Sequence, residues 1–215
     1  MIPRKPRRWS HRRRKASYLL RRASVVGAMA AAFAVFALAD QAGWLGSAPR
    51  GTDLQRYHNR SFRVVNVVDG DTIDVAAYDS LLDEKTTRIR LWGVDTPETV
   101  KPRTPAQHFG PQASAATRRW VNGRTVTLRL VPGKERDRYD RLLAYVDTQD
   151  GNSLNLRLVA KGYAYADPRF DHPAEEKYRA AQKAARLAGR GLWKEVTDAE
   201  LPYYYRGRLE LPRRP

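Results

Sequence analysis

Cysteine is absent from all 215 residues, which excludes disulfides, a thiol nucleophile and any thiolate metal site. That absence leaves reducing and oxidising compartments both open. Histidine is scarce: His11, His58, His108 and His172 stand at no ligand spacing, and no role is assigned to them. Acid is also in short supply, with 23 Asp and Glu against 40 Lys and Arg, a net charge of +17 and a pI near 10.5. Such a balance suggests a polyanionic partner, either nucleic acid or an anionic membrane surface. The surplus is uneven. Residues 1–39 hold ten of the basic residues and no acid, so residues 40–215 keep 30 against 23, a net of +7. No internal repeat occurs, and the length suits one domain with appendages.

The basic head MIPRKPRRWSHRRRKASYLLRR runs into ASVVGAMAAAFAVFALA, 17 uncharged residues that end at Asp40. A positive head, an apolar middle and the small pair Ala37 and Ala39 describe an export signal cleaved after Ala39. An uncleaved signal anchor is the rival, because a helix of that length spans about 25 Å and just crosses a bilayer. Either way the basic end stays in the cytoplasm and the rest is exported, secreted or membrane-anchored. Arg21-Arg22 before the apolar run also fits a twin-arginine signal, although no Ser or Thr immediately precedes the pair. Residues 40–60 read as a linker, and residues 195–215 as a C-terminal tail lying on the fold. The tail's three tyrosines and several arginines offer a second reading, an extension of a nucleic-acid track by stacking.

Between them the pattern is of short β-branched runs broken by turns: SFRVVNVV, TIDVAAY, TTRIRLWGV, TVTLRLV and LLAYVD. A helix opens at Gly110-Pro111, with Ala113, Ala116, Trp120 and Val121 on one face, and closes at Gly123. Ser153 caps a short helix carrying Leu154, Leu158 and Val159 up to Gly162. A longer helix starts near Pro173, with Tyr178, Ala181, Ala185 and Ala188 on one stripe. The expected class is α+β, mainly β. It is a five-stranded barrel of the OB type with three packed helices, preceded by the signal or anchor helix.

Three places could carry chemistry. In VVDGDTIDV, Asp69-Gly70 reads as a hairpin turn, and an EF-hand is excluded because Ile73 falls where an oxygen ligand belongs. In WGVDTPET, Pro97 forces Thr96 to be extended, so that Asp95, the Thr96 carbonyl and Glu98 can present oxygens together; a plain polar turn is the alternative. Hard oxygens without His or Cys select calcium or magnesium. In DRYDRLLAY and the arginine just before it, Arg136, Arg138 and Arg141 read as solvated loop charges, except that Arg141 stands where a strand begins and its fork can grip a phosphate. Carboxylates for a cation, a further carboxylate for water and two arginines from separate strands are the parts that phosphodiester cleavage requires.

These segments, with FGPQASAATRRWV, NLRLVAKGYA and GLW following in order, resemble the thermonuclease family, the staphylococcal nuclease-like domains, over about residues 60–194. The resemblance implies an OB barrel with three helices over residues 61–194. By that likeness Asp71, Asp95 and the Thr96 carbonyl are calcium ligands, Glu98 is the general base or the carboxylate that orients the water, and Arg90 and Arg141 clamp the scissile phosphate. It implies a monomer that uses Ca2+ to hydrolyse DNA and RNA with little base specificity, single strands preferred, leaving 3′-phosphate ends. Two departures stand out: Asp140 occupies a position where glycine is common, and the stacking tyrosines are not clearly matched. Tyr163, Tyr165 and Phe170 are their nearest candidates, or else core residues. The loop AYDSLLDEKTT is long enough to gate a cleft. The alternatives are a catalytically weak nucleic-acid-binding barrel tethered at the membrane, and a membrane-surface protein held by its basic ends, which leaves the acid and arginine set without a purpose.

Overall fold

Residues 52–99 and 105–211 are described by the computed structural model, all within one compact unit, Gly51–Pro215. The basic head and apolar run of residues 1–39 and the linker up to residue 51 lie outside the described residues. Among the described residues, no helix is long and apolar enough to cross a membrane.

The turn chemistry of Asp69-Gly70 joins strand β1 (Arg60–Val67) to β2 (Thr72–Val75), with Val67 opposite Ile73. The register of β1 shifts between Val64 and Asn66; this irregularity leaves Val65 exposed and returns Val67 to the core. β2 pairs antiparallel with β3 (Thr87–Leu91), and β3 runs parallel to β6 (Leu142–Thr148). β5 (Thr125–Arg129) pairs with both β6 and β1, which closes a five-stranded barrel in the order β1-β2-β3-β6-β5. Closure removes the exposed sheet edges that an open sheet would carry. Ile73, Ile89, Leu128 and Leu142 fill the interior, and burial of each contributes about 1.5–3 kcal/mol.

The run TTRIRLWGV is not one strand. Gly93 adopts φ +74°, and a Cβ there would lie 2.4 Å from the His172 ring, so the chain turns and leaves the barrel. It resumes as β4 (Val94–Asp95), paired with β7 (Tyr165–Ala166) in a two-stranded sheet beside the barrel. The linker reading also needs correction near its end. Asp53–Tyr57 forms helix α1, opened by a capping box in which Thr52 Oγ1 accepts from Gln55 N and Gln55 Oε1 accepts from Thr52 N.

The three expected helices are present as α2 (Gly110–Val121), α3 (Leu154–Ala160) and α4 (Glu175–Leu187). Ser153 Oγ accepts from Leu156 N as the cap of α3. On α4 the buried stripe is Tyr178, Gln182 and Ala185, whereas Ala188 is exposed. Gln182 is buried because its side-chain oxygen accepts from Ala166 N and ties α4 to β7. Beyond α4 the C-terminal segment packs rather than trails. Val196, Leu201, Tyr204 and Tyr205 join Tyr165, Leu192 and Trp193 in a second apolar cluster.

Candidate active site

The site is assembled around Arg90, at one-residue remove from the end of β3 and only 7% exposed. Its Nη1 lies 3.1 Å from Asp71 Oδ2 and its Nη2 lies 3.1 Å from Asp95 Oδ1, so one guanidinium bridges two carboxylates from separate segments. Nη1 also donates to the carbonyls of Leu91 (3.0 Å) and Val94 (2.7 Å), which fixes the fork at the turn out of the barrel. Asp71 Oδ2 further accepts from Thr96 N at 2.7 Å and Thr96 Oγ1 at 3.1 Å. The hairpin turn and the Asp95-Thr96 loop therefore touch directly. Gly70 makes that approach feasible, since a Cβ there would stand 2.7 Å from the Thr96 side chain. The same Asp-Gly turn thus serves both as a hairpin and as part of the site.

Burial dominates the acid–base state of the cluster. It pushes the Asp71 carboxyl up to about 6, with the Arg90 charge opposing it and Asp69 adding to it. Asp95 is also raised by burial, against the pull of Arg90 and a hydrogen bond from Tyr204. On Arg90, burial disfavours the charge, but Asp71 and Asp95 outweigh it and hold the guanidinium ionised. Two carboxylates, from Asp71 and Asp95, share the single guanidinium of Arg90, and a hard divalent cation fits the negative charge left over. The donors to hand are Asp71, Asp95 and the Thr96 carbonyl. Among the described residues no group of three or more acidic or histidine side chains converges on a metal position.

Arg141 reaches the same cleft through strand register. Arg90 pairs with Leu143 across the parallel β3–β6 ladder, and Arg141 lies two residues before Leu143, so all three face the same side. A cleft of about 790 Å³ is lined by Arg90, Arg138, Tyr139, Arg141, Arg169 and Tyr203, among others. Asp137 holds Arg141 by Nε at 2.8 Å and Nη2 at 2.7 Å. Glu98 stands two residues beyond Thr96, half-buried, with Oε1 accepting from Thr99 N at 2.9 Å. Its backbone is clamped by Gln107: Glu98 N donates to Gln107 Oε1, and Gln107 N donates to Glu98 O.

Other expectations change. Arg136 is not a solvated charge, because it forks onto Asp53 (2.6 and 3.1 Å) and Asp79 (2.9 and 3.0 Å), pinning the loop of residues 76–86 to α1. That loop contributes no residue to the lining of the cleft. Tyr165 is buried edge-on against Trp193 in the core, Tyr163 is half-buried and packs against the core with Phe109 and Trp120, and Phe170 lines the cleft. The exposed tyrosines on the cleft are Tyr139 and Tyr203. Sequence reasoning passed over Arg169 and Tyr204. Tyr204 OH donates to Asp95 Oδ2 at 2.6 Å, and Arg169 Nη2 lies 3.3 Å from the same oxygen.

Residues 88–195 match the family described as "Staphylococcal nuclease homologue". The thermonuclease of Staphylococcus hyicus is 37% identical over 145 residues, which cover 67% of this chain and 82% of that protein. The chain belongs to the staphylococcal nuclease family. The thermonuclease of Staphylococcus intermedius is likewise 37% identical, over 152 residues covering 69% and 84%. An uncharacterized endonuclease of Escherichia coli is 35% identical over 146 residues covering 68% and 84%. Membership carries the enzyme class, a nuclease acting on nucleic acid. Arg90, Asp95 and Arg141 fall inside the family match, and the residues from Val196 onward lie beyond it.

Proposed function

We propose that this member of the nuclease family is an exported, calcium-dependent and largely sequence-nonspecific nuclease of DNA and RNA, leaving 3′-phosphate ends. The observation that carries this reading is Arg90: it bridges Asp71 and Asp95 while lining the same cleft as Arg141. Asp71, Asp95 and the Thr96 carbonyl are the oxygens that would hold the cation. Calcium bound there supplies positive charge against the phosphoryl oxygens. The chain's own residues do the rest. Arg90 and Arg141 bind the scissile phosphate and stabilise the charge that builds on it in the transition state. Glu98 takes a proton from the attacking water. Water oxygen bonds to phosphorus as the P–O5′ bond breaks, and the 5′ oxygen, its developing charge stabilised by one of the two arginines, takes a proton from solvent and leaves as a hydroxyl.

The same cleft supports binding without turnover, and one assay separates the two. The full chain is incubated with end-labelled single-stranded DNA in calcium, in magnesium and in chelator. Cleavage with calcium to 3′-phosphate ends, abolished by chelator, supports the proposal. Retention of intact DNA in all three refutes it in favour of a binding module. Export, with the mature chain secreted or anchored, rests on residues 1–39, outside the described residues. Recovery of the intact chain from cytoplasm alone would contradict it.

A further inference from the structure

The segment following the family match is packed into the site. Leu201 is fully buried, Tyr205 OH donates to Ala166 O on β7, and between them Tyr204 is 7% exposed with its hydroxyl 2.6 Å from Asp95 Oδ2. Tyr204 and Asp95 are 109 residues apart in sequence, so only the folded segment brings them together. The Tyr204 ring also carries the Arg169 guanidinium 4.6 Å from its centroid. Arg169 is oriented by Asp167, with Nε at 2.8 Å and Nη2 at 2.6 Å from its two oxygens, and reaches Asp95 Oδ2 at 3.3 Å. Asp95 itself lies on a strand of only two residues, whose ladder alone holds it weakly.

Donors thus grip Asp95 from two sides, Arg90 on Oδ1 and the Tyr204–Arg169 pair on Oδ2. A carboxylate offers about four lone-pair directions, and three charged or hydroxyl donors fix its plane while leaving one for another ligand. Precise support of this kind from a supporting shell is what a cation-binding carboxylate requires.

We propose that the C-terminal segment is a built-in part of the site, in which Tyr204 is a positioning residue that orients Asp95 for cation binding. The proposal rests on the reading of Asp95 as a cation ligand.

Three full-length proteins test it: the wild type, Tyr204→Phe and Tyr205→Phe. Each is titrated with calcium chloride by calorimetry, melted in chelator and assayed on single-stranded DNA. Phenylalanine fills the same space in both variants and removes the hydroxyl contact, with Asp95 in one and with Ala166 O in the other, so melting in chelator reads the loss of fold stability separately from calcium binding. Only Tyr204→Phe should weaken calcium binding, by roughly tenfold, the scale of a hydrogen bond to a charged group, while KM for DNA at saturating calcium stays within about twofold. Unchanged calcium affinity in Tyr204→Phe overturns the proposal. Tighter binding overturns it too, since Tyr204 would then compete with the ion. An equal loss in Tyr205→Phe would likewise overturn it by showing a general packing effect. Failure of the wild type to take up calcium would instead strike the reading of Asp71 and Asp95 beneath it.

Discussion

Arg90 Nη1 stands 3.1 Å from Asp71 Oδ2, and both side chains are less than a tenth exposed. Two charges held this far from water depend on each other, because deleting one leaves the other buried and uncompensated. Arg90→Met should therefore destabilise the fold by about 3–5 kcal/mol, with Asp71→Asn in the same chain recovering part of the loss. Urea denaturation of the two variants measures this. A single variant as stable as the wild type would show that the pair carries no structural charge balance.

Glu98 and Arg141 pose the opposite case, since neither is sealed inside the barrel. Glu98→Gln keeps the shape of the side chain and removes its basicity, while Arg141→Ala removes a fork from the cleft. Each should lower turnover on single-stranded DNA by about a hundredfold or more, with far-ultraviolet dichroism unchanged. Rates near the wild type in either variant would remove that residue from the proposed chemistry.

How much of this was legible follows from the range of each signal. The Asp69-Gly70 hairpin, the Gly110-Pro111 helix start and the Ser153 cap depend on neighbours within a few residues, and all three formed where their residues stand. Asp71 and Asp95 were recognisable as acids in tight turns and by their place in a family pattern. The β4–β7 pairing was not, because two-residue strands carry no period, and Gly93 turns the run out of the barrel with φ +74° at a place where the distant His172 ring leaves no room for a side chain. Tyr204 was hidden for a similar reason: a run of three tyrosines looks alike at each position until packing buries two and exposes the third. The capping box at Thr52 and Gln55 is a local signal of the same short range.

Asp140 illustrates a departure with a structural cause. Its φ of +60° lies in the left-handed region that glycine occupies freely and Asp or Asn tolerates, so the turn before Arg141 keeps its shape without glycine. What remains is an exposed negative charge next to Arg141, the arginine proposed to bind phosphate. Asp140→Asn removes the charge and keeps the conformation. KM for DNA should fall severalfold at low ionic strength, and the advantage should shrink in high salt, where charges more than about 3 Å apart are screened. A salt-independent change would point to the backbone rather than to charge.

Tyr145 OH and His172 Nδ1 lie 2.8 Å apart in a buried contact, and the His172 ring packs against the Gly93 turn that leads to Asp95. Burial lowers the pKa of His172 from its usual 6.5, and the nearby acids Glu175, Asp167 and Asp171 only partly offset that. The unfolded chain therefore takes up a proton near pH 6.5 while the folded one resists it, so the unfolded state binds more protons and stability rises with pH across that window. The contribution of His172 is fully present above 6.5 and is lost as pH falls from 6.5 through the lowered folded value. His172→Phe keeps a ring in place and cannot titrate. The stability difference between wild type and variant, measured by urea denaturation, should move against the wild type as pH falls below 6.5, and level off once the folded protein also takes up the proton. A difference that stays constant across that range would mean that His172 takes up its proton in the folded protein as readily as in the unfolded one, so that burial does not resist its charging.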